Sequence, residues 1–220
     1  MLFRSEIEDP EGARLFKATI YDPEGRVVQV SRPDGSWEYV QYDDQRRPWR
    51  VFSGLGNQAP TTAASLCRMV EYSYTPLGGP DDGSVRPFYH RTAVEYLKGS
   101  EVRRTYYVIS RGEEQRIECQ TVGAAWNAPD NLVTVTRTHV EGPFAREIAS
   151  VFYPDGTVEL HGREFSGDGQ RLTETLQRGV PNADRSGIVK GTKTVTVIGV
   201  GSEVLTRQVT DVASGLVIEQ

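Results

Sequence analysis

Apolar and polar residues alternate along most of the chain in short runs cut by tight-turn residues. "LFKATIY" (Leu15–Tyr21) alternates and is rich in β-formers. "DPEG" (Asp22–Gly25) then opens a turn: Asp at its start, Pro with its fixed φ, and Gly for a positive φ. "RVVQVS" (Arg26–Ser31) is the next strand, Pro33-Asp34-Gly35 a second turn of the same logic, and "SWEYVQY" (Ser36–Tyr42) a third strand. On that strand Trp37, Tyr39 and Gln41 share one face, and Glu38, Val40 and Tyr42 the other. The same rhythm predicts strands at Arg68–Tyr74, Val102–Ser110, Gln115–Val122, Asn131–His139 and Thr192–Gly199. The most apolar stretch, Thr194–Val200, reads as a buried strand. Helix is scarce: Thr62–Tyr72 has material for a turn or two, but Val70, Tyr72 and Tyr74 alternate as in a strand. Gly54–Ala64, Thr75–Ser84 and Gly179–Gly187 read as loops, the last also as a boundary between sub-sheets.

The pattern also repeats. Tyr42-Asp43 restates Tyr21-Asp22, and "YDDQRR" (Tyr42–Arg47) keeps the Arg of Tyr21-Asp22…Gly25-Arg26 while lacking the Gly. "IEDPEGAR" (Ile7–Arg14) carries the Asp-Pro-Glu-Gly turn once more. Phe152–Leu172 contains Pro154-Asp155-Gly156, a strand, and Phe165 in the tyrosine place with Gly169 four residues on. "TDVASGLVIE" (Thr210–Glu219) is a longer-turn version. Each of these residues has a structural use. The Asp22 carboxylate caps its own turn, Tyr21 stacks on its counterpart one repeat away, and Arg26 lays its stem over that ring.

The Tyr-Asp-x-x-Gly-Arg unit, with Pro-Asp-Gly between successive copies, resembles the YD or Rhs repeat of bacterial and animal surface proteins. These include bacterial Rhs proteins, insecticidal toxin-complex shells and teneurin-like shells. The best-matching repeats are 7–51 and 150–177, and the rest of residues 1–220 follows by strand rhythm as one array. The resemblance implies an all-β fold of consecutive antiparallel hairpins stacked into a long curved sheet, part of a β-shell that encloses cargo. It further implies a secreted or cell-surface location and the remainder of a longer chain as main partner. Roughly fourteen strand candidates at ~4.8 Å spacing are too few to close such a shell, so the chain reads as a piece of a wall. Met1–Ser5 carry no signal-peptide core and read as an addition to a chain truncated upstream.

Composition narrows the chemistry. In 220 residues there are 22 Gly and 12 Pro, punctuation suited to an all-β chain. Net charge is −5 and pI about 5.4, which leaves no basic excess for nucleic acid. No apolar run approaches a membrane span, so membrane insertion is not expected. Cys67 and Cys119 read as two buried free thiols, with a disulfide between them in an oxidising compartment as the alternative.

No metal, cofactor or catalytic site is expected. His90, His139 and His161 stand at no ligand spacing. The acidic turns Asp22–Gly25 and Pro80–Ser84 match no calcium loop and follow turn chemistry. Gly199-x-Gly201 lacks the third glycine of a dinucleotide site and reads as a hairpin with Gly201-Ser202 at its tip. No Gly-x-Ser-x-Gly elbow occurs. Asp9-Pro10-Glu11-Gly12 and Asp22-Pro23-Glu24-Gly25 mimic the wording of a self-cleaving element in some family members, but are embedded in ordinary repeats. The leading reading is a structural, non-enzymatic wall segment. The alternative is an independent β-sandwich module binding carbohydrate or protein, in which Trp37 or Trp49 stacks on the ligand.

Overall fold

A computed structural model describes residues 2–8, 14–56 and 58–220, with side chains for 17–56 and 58–220. The Asp9–Gly12 turn therefore lies outside the described residues. The fold is all-β, with strand order equal to chain order in an open sheet and antiparallel pairing throughout the described registers. The first strands are β1 (Leu2–Glu8), β2 (Arg14–Tyr21), β3 (Val27–Ser31), β4 (Trp37–Tyr42) and β5 (Pro48–Ser53). After a 3-10 turn at Ala64–Leu66 come β6 (Arg68–Ser73), β7 (Thr92–Leu97), β8 (Ser100–Ser110) and β9 (Glu113–Glu118). Then follow β10 (Leu132–Thr138), β11 (Ile148–Phe152), β12 (Val158–Phe165) and β13 (Arg171–Pro181). The last are β14 (Ile188–Gly199), β15 (Val204–Asp211) and β16 (Val217–Glu219).

Two compact units divide the chain. One holds the residues up to Gly79 with Arg86–Tyr107 and Glu118–Asn131; the other holds Pro80–Val85, Val108–Ile117 and the residues from Leu132 on. Gly179–Gly187, read as a sub-sheet boundary, lies inside the second unit. It comprises the end of β13 and the turn into β14, whose long mutual register runs from Arg171↔Gly199 to Pro181↔Ile188. The strands approach so closely there that Gly179 and Gly191 face each other. A Cβ on Gly179 would sit 1.9 Å from the Lys190 carbonyl oxygen.

In the first unit Trp37, Phe52, Cys67 and Met69 form a buried cluster, with Tyr39, Ala64 and Tyr96 packed against it. The predicted alternation of β4 accounts for this. Tyr39 lies opposite Phe52 and Phe52 opposite Met69, so one face of three strands supplies the apolar side. The loop after β5 supplies the lid: the Trp37 indole Nε1–H donates to the Gln58 carbonyl at 2.6 Å. Both cysteines are free, Cys67 buried and Cys119 half-buried. In the second unit the buried apolar side chains are Val108, Ile109, Ile117, Val151, Val158, Ile188 and Val209. Thr194–Val200 is less buried than the sequence suggested. Thr194–Ile198 are half-buried, and Val200 is exposed because it lies in the turn beyond the end of β14.

One irregularity recurs at a fixed place. On the strand that follows certain turns, one residue is skipped by the register: Val28, Trp49, Val102, Ala149, Val189, Leu205 and Ile218. Such an extra residue bends the strand and increases its twist. All seven are apolar. By contrast, the hairpins closed by Pro33-Asp34-Gly35 and Pro154-Asp155-Gly156 keep their register. The chain thus uses two hairpin types, and in the first strands they alternate.

A Tyr-Asp-Arg interlock as the candidate functional site

The Asp22 turn is a three-residue loop. Asp22 N–H donates to the Arg26 carbonyl at 2.9 Å, and Gly25 N–H to the Asp22 carbonyl at 3.1 Å. Gly25 takes φ +82°, the left-handed conformation that closes this loop type. The Asp22 carboxylate receives the Arg26 amide on one oxygen at 2.8 Å and Arg26 Nε–H on the other at 2.6 Å. Burial alone would raise the Asp22 pKa, but the amide and guanidinium of Arg26 outweigh it and hold the carboxyl below its ordinary value. Asp22 thus fixes both the turn and the direction of the arginine.

That arginine lies over the wrong tyrosine for the sequence reading. Its guanidinium carbon is 4.7 Å from the centroid of Tyr42, the ring of the following unit, whereas the sequence reading placed it over Tyr21. Tyr42 completes the link by donating its hydroxyl to the Val27 carbonyl at 2.8 Å. The reason is geometric. Asp22 pins the guanidinium toward the return strand, and the strand beyond that one carries Tyr42.

The second unit repeats this atom for atom. The Asp43 carboxylate accepts the Arg47 amide at 2.9 Å and Arg47 Nε–H at 2.8 Å. The Arg47 guanidinium is 4.0 Å from the Tyr74 centroid, and the Tyr74 hydroxyl donates to the Pro48 carbonyl at 2.7 Å. Where Gly25 stood, Arg46 adopts φ +64°. Tyr74 was read from the sequence only as an alternating strand residue. Its role was hidden because the loop covering Trp37 separates it from Tyr42, lengthening the spacing. Burial raises the pKa of both Tyr42 and Tyr74.

The remaining predicted residues divide. Pro33-Asp34-Gly35 and Pro154-Asp155-Gly156 form matching turns, with Gly35 and Gly156 at φ +81° and +84°. Asp34 accepts the Ser36 amide and Asp155 the Thr157 amide, both at 2.9 Å, and hydrogen bonds from Ser36 and Thr157 lower the two carboxyl pKa values. The unit at Phe165 keeps neither the interlock nor the three-residue loop: the Ser166 amide and the Arg171 carbonyl close a loop one residue longer, and β12 pairs with β13 without a skipped residue. Ser166 replaces the aspartate, receiving the Arg171 amide at 3.0 Å, with Gly169 at φ +68°. Phe165 is half exposed and stacks on Phe144 at 5.3 Å.

Trp37 does not serve as a stacking platform. At 2% exposure it is a core residue, drawn in by the Phe52 side of the sheet and by the hydrogen bond to Gln58. Trp49 is half-buried at a bulge, and the Arg50 guanidinium lies 4.0 Å from its ring centroid. Other sequence candidates resolve into packing or turn chemistry. His90 sits among Tyr72, Tyr89 and Tyr107 with ring centroids at 4.6, 4.9 and 5.0 Å, and burial followed by the nearby Arg91 charge lowers its pKa. Asp82 accepts the amide and hydroxyl of Ser84. Burial raises the thiol pKa of Cys67 and Cys119, which disfavours the reactive thiolate. The tip at Gly199–Glu203 is a hairpin turn whose left-handed residue is Ser202, at φ +63°. Among the described residues no group of three or more His, Cys, Asp or Glu side chains is placed to hold a metal ion.

The chain matches no protein-family model and no curated protein.

Proposed function

We propose that the chain is a structural, non-enzymatic segment of a large YD- or Rhs-type repeat protein, secreted or displayed at a cell surface. In this reading it forms part of a β-wall that encloses cargo or supports surface contacts. One observation carries the reading: the Asp22–Arg26–Tyr42 and Asp43–Arg47–Tyr74 links share the same atoms and the same order. Each link ties one hairpin to the next through a charge-assisted hydrogen bond, a cation–π contact and a hydroxyl-to-carbonyl bond. Such a device stiffens a stack of hairpins, each of which is marginal alone. It also engages the acids and arginines of the motif with one another, which favours support over reaction.

The test is the reading frame on either side of this segment. Further Tyr-Asp-x-x-Gly-Arg units separated by Pro-Asp-Gly turns are expected there. Flanking sequence free of them would overturn the assignment.

A further inference from the structure

One face of β12–β15 carries charge in an ordered array. Arg163, Glu174, Thr196 and Arg207 stand opposite one another in a row across the four strands. Two residues along, Leu176 stands opposite Thr194, and two further Arg178 stands opposite Thr192. A cleft of about 340 Å³ lies on this face. Its described lining sets Arg163, Arg178 and Arg207 against one acid, Glu174, in a chain whose net charge is −5. That acid is already answered, with Arg163 Nη2 at 2.7 Å from its Oε1. The other two guanidiniums keep most of their five donors. Arg178 meets Glu159 through Nε at 3.0 Å, and Arg207 meets Glu219 through Nη1.

We propose that this cleft binds a sulfate or phosphate monoester of a monosaccharide. Arg178, Thr194 and Arg207 lie on one diagonal of β13, β14 and β15, with the threonine in the middle. Diagonal neighbours on a sheet are within reach of long side chains, so the two guanidiniums converge on one oxyanion above the Thr194 hydroxyl. Planar guanidinium forks match such groups, and their charge-assisted hydrogen bonds are the stronger kind. Leu176, half-buried beside Thr194, gives an apolar floor for the carbon face of a sugar ring. Glu174 gives a carboxylate to accept from a ring hydroxyl. An arginine that turns from Glu159 to the ligand does not strand that acid: His161 Nε2, buried without a hydrogen bond, lies 3.6 Å from Glu159 Oε2. The volume suits a ligand of this size. The site stands on β12–β15 and does not depend on the repeat-family reading.

The test titrates glucose 6-sulfate and glucose 6-phosphate separately into the full 220-residue chain at fixed ionic strength and follows amide NMR shifts. Saturable shifts at Leu176, Thr194 and Thr196 are expected, with a Kd of about 1 mM. The tighter of the two esters names the oxyanion the site is built for. Arg178→Gln and Arg207→Gln are each expected to weaken binding roughly fivefold. Arg103→Gln, whose guanidinium pairs with Glu118 in the other unit, is expected to change nothing. Urea midpoints check that each variant is folded. Absence of saturation with both esters overturns the proposal. So do equal shifts from unesterified glucose, since the arginines would then contribute nothing. A loss in Arg103→Gln as large as in Arg178→Gln also overturns it, since binding would then follow overall charge.

Discussion

Arg46 occupies the place that Gly25 holds in the preceding unit, and this makes the backbone energetics of the interlock measurable. Both residues are left-handed, at φ +64° and +82°, and both donate their amide to the carbonyl three residues back at 2.9 and 3.1 Å. For an L-residue that conformation costs roughly 1–2 kcal/mol, through the approach of Cβ to the next carbonyl. Glycine escapes the cost but brings a more flexible unfolded chain, worth about 0.5–1 kcal/mol in the other direction. Arg46→Gly is therefore expected to stabilise the protein by about 0.5–1 kcal/mol, the difference between these terms. Arg46 is exposed, so truncating its side chain removes little packing. Arg46→Ala serves as the control: it loses the guanidinium but keeps Cβ, and is expected to gain nothing. Gly25→Ala runs the exchange in reverse and is expected to lose a similar amount; a Cβ there meets no neighbour within 4 Å, so only the dihedral is probed. Urea midpoints at constant m-value report all three. Equal midpoints for Arg46→Gly and Arg46→Ala, or an unchanged Gly25→Ala, would refute the reasoning.

Tyr74→Phe keeps the ring under Arg47 but drops the hydroxyl bond to the Pro48 carbonyl, and is expected to cost about 1 kcal/mol by urea denaturation. Gly54→Ala would place a Cβ 2.6 Å from Trp37 Nε1; a loss of about 1–3 kcal/mol is expected, with a shift in tryptophan fluorescence as the indole leaves Gln58. Asp22, Asp34, Asp43, Asp155, Asp168, Asp184 and Asp211 all have lowered carboxyl pKa values in the fold. The unfolded chain then binds protons first as pH falls, so stability is full above the ordinary carboxylate pKa and drains away as pH falls through the folded values; an acid titration of the urea midpoint should show this, with a shallower slope in Asp43→Asn. His90 is also lowered, so its contribution is full above about 6.5 and declines as pH falls below that; His90→Phe should flatten this part of the curve.

The strands around the best-marked turns were legible in the sequence because turns and alternation named the same boundaries, whereas β7, β13 and β15 were not named. Asp22–Gly25, Pro33–Gly35 and Pro154–Gly156 each force a reversal, and the runs between them alternate with a period of two. The placing of Trp37 and Tyr39 on one face of β4 followed from that period alone. What was not legible depends on the third dimension. Alternation says which face Trp37 occupies but not which face is covered, and only the return of the chain after β5 makes that side the core. The partner of Arg26 was misread for a related reason. Sequence proximity favours Tyr21, but the Asp22 carboxylate dictates where the guanidinium points. The bulges at Val28, Trp49 and Leu205 left no local signature beyond an apolar residue shortly after a turn. Once seen, they sharpen the reading of the repeat. The tyrosine-bearing hairpins are bulged and the Pro-Asp-Gly hairpins between and beyond them are not, so bend and twist are introduced at the step where arginine reaches across to the next ring. In the first strands the interlock and the bulge therefore belong to one device: the bulge redirects the strand, and the Asp-Arg-Tyr link holds it in the new direction.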